Sequence, residues 1–407
     1  MTRPLTVCMV HYSDYHIDSR IQRQARALAE RGDHVHLVCL SPAGEERVGD
    51  GVIHLHNVPA GDKASGGPRA YVMGYAKFLA RALWRVAAID RREKLDLVEA
   101  HNMPDALTLT GLVPRLRGTP VILNVHDTFP ELFATKYGLP ADHAVERVIR
   151  VEERISAAFS DHVIVVTELA RDTLAARGIG RDGCTVVMNS PDTAMFGPQR
   201  TPVELPEDGP IRVLYHGGSA PRFGVDVLIR AVAQLGSRLP RLELRVCGAG
   251  EDRARLAELA ASLAPDRISV APEAVPFREI PGELEAAHIG VVPTLEDRFT
   301  ELLLPVKLME YVHMGLPVVA SRLPGIASAF GDDALLTFEP GSVDDLSAAL
   351  VATCADPATA QARALRASEQ QREISWAAQR ERYLALVDRL TERGVARSGA
   401  EVASAVA

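Results

Sequence analysis

The sequence predicts an α/β protein made of two doubly wound domains, and three observations lead there. The first is length. At 407 residues the chain exceeds what one hydrophobic core organises, which sets the expectation at two domains of ~150–200 residues each. The second is rhythm, because short apolar, β-rich runs alternate with helical periods from one end to the other, the pattern of parallel strands with helices on both faces. The third is a break between Thr193 and Pro210, where Pro198, Pro202, Pro206 and Pro210 remove backbone donors and leave no strand or helix period.

Taken in order, Leu5–Val10 reads as the first strand. Asp18–Arg31 follows as a helix with Ile21, Ala25 and Leu28 on one face, Asp18 as its cap and Gly32 as its stop. Strands are expected next at Val35–Leu40, Leu95–Glu99, Val121–Val125, His162–Val166 and Thr185–Met188. After the proline-rich break the pattern restarts with a strand at Ile211–His216, a helix at Val225–Arg238, a strand at Leu242–Cys247 and a helix from Glu251 to Leu263. Strands at Ile289–Pro293, Val318–Ala320 and Ala334–Phe338 complete the series. The expected organisation is a first domain over 1–195, a linker over 196–210, a second domain over 211–370, a returning helix over 371–395 and a frayed tail over 396–407. Open parallel sheets bind ligands at the carboxyl ends of their strands, so two such domains facing across a cleft hold one substrate each.

Composition narrows the class. A formal net charge of −8 argues against a general nucleic-acid binder, which needs a basic surface to release counterions. Cys8, Cys39, Cys184, Cys247 and Cys354 are an odd set without metal-ligand spacing, the usage of reduced thiols in a cytoplasmic protein. The apolar run Leu5–Val10 is too short for a signal sequence, and no stretch approaches the ~20 apolar residues of a membrane span. The stretch 69–94 is basic and amphipathic, with Lys77, Arg81 and Arg85 among Phe78, Leu79 and Trp84. Such a helix either covers its own domain or lies at an anionic membrane face.

The strongest local signal is Leu304-Pro305-Val306-Lys307-Leu308-Met309-Glu310-Tyr311, closed by Gly315 and Pro317. Pro305 suits a first helical turn. The free N–H groups at Val306 and Lys307, with the helix dipole, suit a diphosphate, and Glu310 further along can accept from a ribose diol. A solvated surface helix is the alternative on spacing alone. Gly217 and Gly218, at a strand-to-helix turn that continues to Arg222, let backbone amides approach phosphate oxygens. Gly248 and Gly250 form a second such turn, but Arg253 stands where a dinucleotide fingerprint needs its third glycine, which disfavours a nicotinamide enzyme. His126 and Asp127 end a strand, as do His101 and Asn102.

These segments together resemble the large retaining glycosyltransferase family four over nearly the whole chain. The resemblance implies the GT-B fold, two Rossmann-like domains facing across a cleft, with a C-terminal helix from Ser375-Trp376 through Tyr383 and Leu386 crossing back to the first. It implies that Glu310 holds the donor ribose and that His126, followed by Asp127, meets the donor sugar near the reacting carbon. The family's first signature Glu falls on Leu302 here, with Glu301 one residue away as the substitute candidate. Of its two basic diphosphate contacts, the first position is Gly218 and the second falls on Phe223, so Arg222 takes that role with Lys307. His101 and Asn102 are assigned to the acceptor side, together with His11, Tyr12 and Tyr15 of the first loop. The implied reaction is retaining transfer from a UDP- or GDP-sugar, without cofactor or metal; no Asp-x-Asp pair occurs in the sequence. The alternatives are a nucleotide-sugar 2-epimerase of the same fold and a non-catalytic sugar-nucleotide binding protein.

Overall fold

The computed structural model describes residues 3–40, 44–49, 51–59, 68–140, 143–250 and 252–406, with backbone alone at 68–71, 249 and 393–406. It divides into two compact units, residues 1–188 with 379–407 and residues 189–378.

The first unit is one eight-stranded sheet in the order β3-β4-β2-β1-β5-β6-β7-β8. Its strands are β1 (Thr6–His11), β2 (His34–Cys39), β3 (Glu46–Val48), β4 (Ile53–Asn57), β5 (Leu97–His101), β6 (Val121–Val125), β7 (His162–Val165) and β8 (Cys184–Val186). All pair in parallel except β3 with β4. Both faces of the central strands are apolar, as parallel sheets require. On one face Val7, Met9, Val35 and Leu37 pack with Ile21, Ala25 and Leu28 of helix α1 (Ser19–Arg31). On the other, Cys8, Val10 and Val38 meet Phe78, Ala82, Val86 and Ile89 of helix α2 (Pro68–Glu93). The apolar stripe of α2 is therefore spent on its own sheet, while Val72, Met73 and Trp84 are exposed beside it.

The second unit is a six-stranded, wholly parallel sheet in the order β11-β10-β9-β12-β13-β14. Its strands are β9 (Ile211–Gly218), β10 (Leu242–Ala249), β11 (Ile268–Val270), β12 (Ile289–Val292), β13 (Val318–Ser321) and β14 (Leu336–Phe338). Val213, Tyr215, Leu244 and Val246 pack here with Val225, Leu228, Ile229 and Val232 of the following helix.

The elements read from the sequence appear close to the expected bounds, and the differences have physical causes. Strands β3, β4 and β11 lie outside the sequence pattern, since β3 and β11 have only three residues each and β4 carries two histidines. The unit boundary falls at 188/189 rather than 195. Residues 197–210 form no helix or strand, yet Arg200 and Val203 donate backbone hydrogen bonds to the carbonyls of His313 and Gly315, so this segment is laid onto the second unit rather than spanning freely. The last helix runs from Trp376 to Val406, past the end expected at 395, because its sequence holds no proline after Pro357 to stop it. It rejoins the first unit through Tyr383, Leu386, Val387 and Leu390, all buried in the core beneath α1. The five cysteines are free; four are buried, and desolvation raises all five thiols above their usual range.

Candidate functional site

In the second unit the chemistry-bearing groups gather where β9 ends. The helix Val306–His313 begins at Pro305, whose φ of −63° and ψ of 128° place it as a cap without a side-chain acceptor, so the first-turn N–H groups stay open to an anion. Lys307 points from that turn to the strand end. Its Nζ donates to Tyr215 Oη at 2.6 Å and lies 4.0 Å from the Tyr215 ring centroid and 4.8 Å from that of Phe223. Burial among these aromatics draws the ammonium down to about 7, against the opposing pull of Glu310.

Gly217 has a φ of +109°, and a Cβ there would stand 3.1 Å from both Cε and Nζ of Lys307. Glycine is thus required twice at this point, by conformation and by the closeness of the cation. At Gly218 only space matters, since a Cβ would come within 2.6 Å of Phe223. Arg222 stacks beside Phe223 and Phe299 at 5.4 and 5.9 Å, and its buried Nε lacks a hydrogen-bond partner. Ser219, 1% exposed, likewise holds an unpartnered hydroxyl, 2.8 Å from where a Cβ on Gly250 would sit. One helical turn beyond Lys307, the buried Glu310 carboxylate lies 3.1 Å from His216 Nε2, and the His216 N–H donates to Tyr311 Oη at 3.1 Å. A cation, an unpaired hydroxyl, an arginine and a carboxylate thus converge on one strand end, a set suited to a diphosphate with an adjoining diol.

In the first unit the corresponding strand ends carry imidazoles. His11 pairs in register with His101 at the ends of β1 and β5. His126, just past β6, stacks on His101 with ring centroids 5.2 Å apart and an interplanar angle of 13°. The contact is also a hydrogen bond, His101 Nδ1 to His126 Nε2 at 3.0 Å, which leaves His126 Nδ1 without a partner. Burial is the main cause that holds both rings well below the usual histidine range, with Arg20 adding to it, so both are neutral at pH 7.

Asp18 organises the positive side. It caps α1 by accepting from the Arg20 N–H at 3.0 Å, as expected, and it also holds the Arg20 guanidinium at 2.8 Å and lies 3.2 Å from His11 Nε2. Arg20 in turn reaches Asp127 at 3.5 Å.

Asn102 locks the loop that presents His126. Its Oδ1 accepts from the His126 N–H at 2.8 Å, while Nδ2 donates to the Asp127 carbonyl at 2.7 Å and to Asp105 Oδ1 at 3.0 Å. Asn102→Ala orphans these buried groups and is expected to cost about 2–4 kcal/mol of stability. Urea denaturation followed by circular dichroism measures it; an unchanged midpoint and slope would contradict this account of the loop.

Comparison with known proteins bears on both halves. Residues 17–190 match the glycosyl transferase 4-like domain and residues 210–356 the glycosyl transferases group 1 domain. The chain belongs to the family-four glycosyltransferases. Among curated relatives, the D-inositol 3-phosphate glycosyltransferase of Nocardia farcinica is 29% identical over 88% of this chain and 81% of its own. A phosphatidylinositol N-acetylglucosaminyltransferase subunit from Arabidopsis thaliana is 26% identical over 64% of this chain, and the match spans 54% of that relative's own length. Among solved structures, sucrose-phosphate synthase from Thermosynechococcus elongatus superposes with a TM-score of 0.75 over 96% of this chain and 100% of that one, at 18% identity. HepE of Anabaena, solved in complex with UDP and glucose, superposes with a TM-score of 0.66 over 95% and 100% at 13% identity. These likenesses establish the GT-B fold of the glycosyltransferase.

The glycosyltransferase brings most of the expected residues to strand ends, though not all. Gly217, Gly218, Arg222, Val306, Lys307 and Glu310 share one neighbourhood, with Gly248 and Gly250 at the neighbouring end of β10. Glu301 sits half-buried on a short helical turn, Thr300–Leu302, just ahead of Pro305. His101, Asn102, His126, Asp127 and His11 form the second cluster. Tyr12 and Tyr15 both have packed rings. Tyr12 lies edge-on to Tyr75 and Phe78, and Tyr15 is buried in the core under α1. Sequence reasoning missed the roles of Arg20, Tyr215, His216 and Ser219. The sequence places Tyr215 and His216 at a strand end and Ser219 in the Gly-rich turn, with no site role attached to them. Among the described residues no helix is long and apolar enough to cross a membrane.

Proposed function

We propose that this glycosyltransferase moves a sugar from a nucleotide diphosphate donor to an acceptor hydroxyl with retention of anomeric configuration, without a metal in the chemistry. The observation that carries the reading is the end of β9, where Lys307, held against Gly217 and Tyr215, is followed one turn later by the buried Glu310. In this reading the first-turn N–H groups at Val306 and Lys307, with Arg222, hold the diphosphate and stabilise the charge that grows on it as the anomeric bond loosens. Glu310 accepts from the donor ribose. The leaving diphosphate oxygen takes the proton of the acceptor hydroxyl, which attacks the same face of an oxocarbenium-like carbon. His126 orients the sugar as a neutral imidazole, and Asp127 with Arg20 sets its polar surroundings. The UDP complexes of a protein sharing the fold support a nucleotide-sugar donor, with UDP the first choice of base and GDP the second. The acceptor side is assigned to His11, His101 and Asn102. The exposed Val72, Met73 and Trp84 of α2, beside Lys77 and Arg81, are the surface for any peripheral contact with an anionic membrane.

Calorimetric titration of the full chain with UDP and GDP, each with and without EDTA, tests the donor reading. One nucleotide is expected to bind with an affinity unchanged by the chelator. Proton NMR of the glycoside formed then reports the anomer, and an inverted product removes the retaining assignment. Net turnover without release of free nucleotide on adding acceptor would favour the 2-epimerase instead.

A further inference from the structure

Strands β2 and β4 share a pattern that the transfer chemistry leaves unused. In His34-Val35-His36-Leu37 and Ile53-His54-Leu55-His56, aliphatic residues alternate with histidines. Successive residues of a strand face opposite ways, so Val35, Leu37, Ile53 and Leu55 enter the core under α1 while His36, His54 and His56 face the α2 side. The two strands are parallel neighbours, with His36 registered opposite His54 and Val38 opposite His56. Three imidazoles are thus stacked under the C-terminal end of α2.

We propose that His36, His54 and His56 bind one tetrahedral first-row divalent cation, for which zinc is the best fit, with Glu93 orienting His36 from behind. One ring nitrogen from each histidine can be chosen so that all three lie within 4.8 Å of one another. Zinc, with bonds of ~2.0–2.1 Å, holds tetrahedral nitrogens about 3.3 Å apart, so closing the site takes side-chain rotation and no movement of the sheet. Centroid distances of 4.1 Å for His54–His56 and 5.2 Å for His36–His56 show the rings already gathered.

His36 Nδ1 is 2.9 Å from His56 Nε2, and its other nitrogen is 2.9 Å from Glu93 Oε2. That is the carboxylate–histidine arrangement that fixes a ligand's tautomer behind a metal. His56 is 5% exposed, and its Nδ1 is buried without a hydrogen-bond partner. A hydrogen-bonded pair of histidines accounts for two of the rings and leaves His54 unexplained; a cation uses all three.

Arg47, opposite His54 on β3, opposes a cation, and the Glu93 carboxylate offsets it. Borderline-soft nitrogen donors with one carboxylate nearby select zinc, nickel or copper over magnesium or calcium.

The test is a zinc titration of the full chain, free of any affinity tag and stripped with EDTA, run by calorimetry and repeated with Co²⁺ to read the intense visible bands of tetrahedral cobalt. The expected result is one equivalent bound with a Kd of ~10 µM or below. Binding should weaken at least about tenfold in His54→Ala and in His56→Gln and stay unchanged in His126→Ala. His54 is only half-buried, so its alanine variant keeps the test open if His56→Gln does not fold. Absence of binding, a pale octahedral cobalt spectrum, equal affinity in His54→Ala, or loss of binding in His126→Ala overturns the proposal.

Discussion

Replacing Lys307 with methionine is expected to lower kcat/KM for sugar transfer by on the order of 10²–10³-fold, the cost of removing one preorganised charge from a diphosphate leaving group. Methionine keeps the length and apolar stem of the side chain, so the packing against Tyr215 and Phe223 survives while the donor to Tyr215 Oη is lost. The pH dependence supplies a second readout. Burial brings this ammonium to about 7, so the free protein loses the charge as pH rises through that value. UDP affinity should therefore fall above pH 7 in the parent chain and show no such step in Lys307→Met. Stability shifts in the opposite sense. The folded chain binds this proton less tightly than the unfolded chain does, so the contribution of Lys307 to folding rises as pH climbs from about 7 towards the ordinary lysine value of 10.5, and the methionine variant lacks that slope. A variant that keeps transfer within a few-fold of the parent would remove Lys307 from the diphosphate site.

The second large effect is expected at His126. His126→Ala should reduce kcat by on the order of 10²–10³-fold while leaving UDP affinity unchanged, because the imidazole is assigned to the sugar and not to the nucleotide. The backbone there is held by Asn102, so the loop survives truncation of the ring. Asparagine is the informative second variant, since its amide places a polar atom near the position of Nδ1, the ring nitrogen with no partner, and gives up the contact of Nε2 with His101. His126→Asn is expected to recover at least part of the activity lost in alanine. If both variants transfer at the parental rate, the imidazole has a packing role only; if both lose UDP binding, its assignment to the sugar is wrong.

How far the sequence spoke depends on the range of each interaction. Alternating periods are local, and they placed most strands of both sheets and α1 with its Asp18 cap. Of the strands that escaped, β3 and β11 have three residues each, and β4 hid because His54 and His56 occupy positions where an alternating strand usually shows obvious polarity or apolarity. The glycines and the Lys307–Glu310 spacing were legible because a diphosphate site needs them close in the chain. Lys307 with Tyr215 and Glu310 with His216 were not, since each pair is separated by more than ninety residues and meets only where the helix Val306–His313 packs beside the end of β9. Tyr12 and Tyr15 show a related effect: a phenol carries both a polar tip and a large apolar body, and near the end of β1 the body is packed. Arg20 read as one more charge on a helix, because beyond the local Asp18 its second partner, Asp127, reaches it only once the ends of β1 and β6 are brought together.

The return of the last helix to the first unit has a consequence for how the chain is born. Tyr383, which donates to the buried Glu99 at 2.6 Å, emerges from the ribosome 284 residues after its partner. Until then the nascent amino-terminal sheet lacks Leu386, Val387 and Leu390 from one of its apolar faces, while residues 189–378 form an uninterrupted unit that can complete itself during synthesis. Translation order and maturation order are therefore reversed, and the half begun first is the half sealed last.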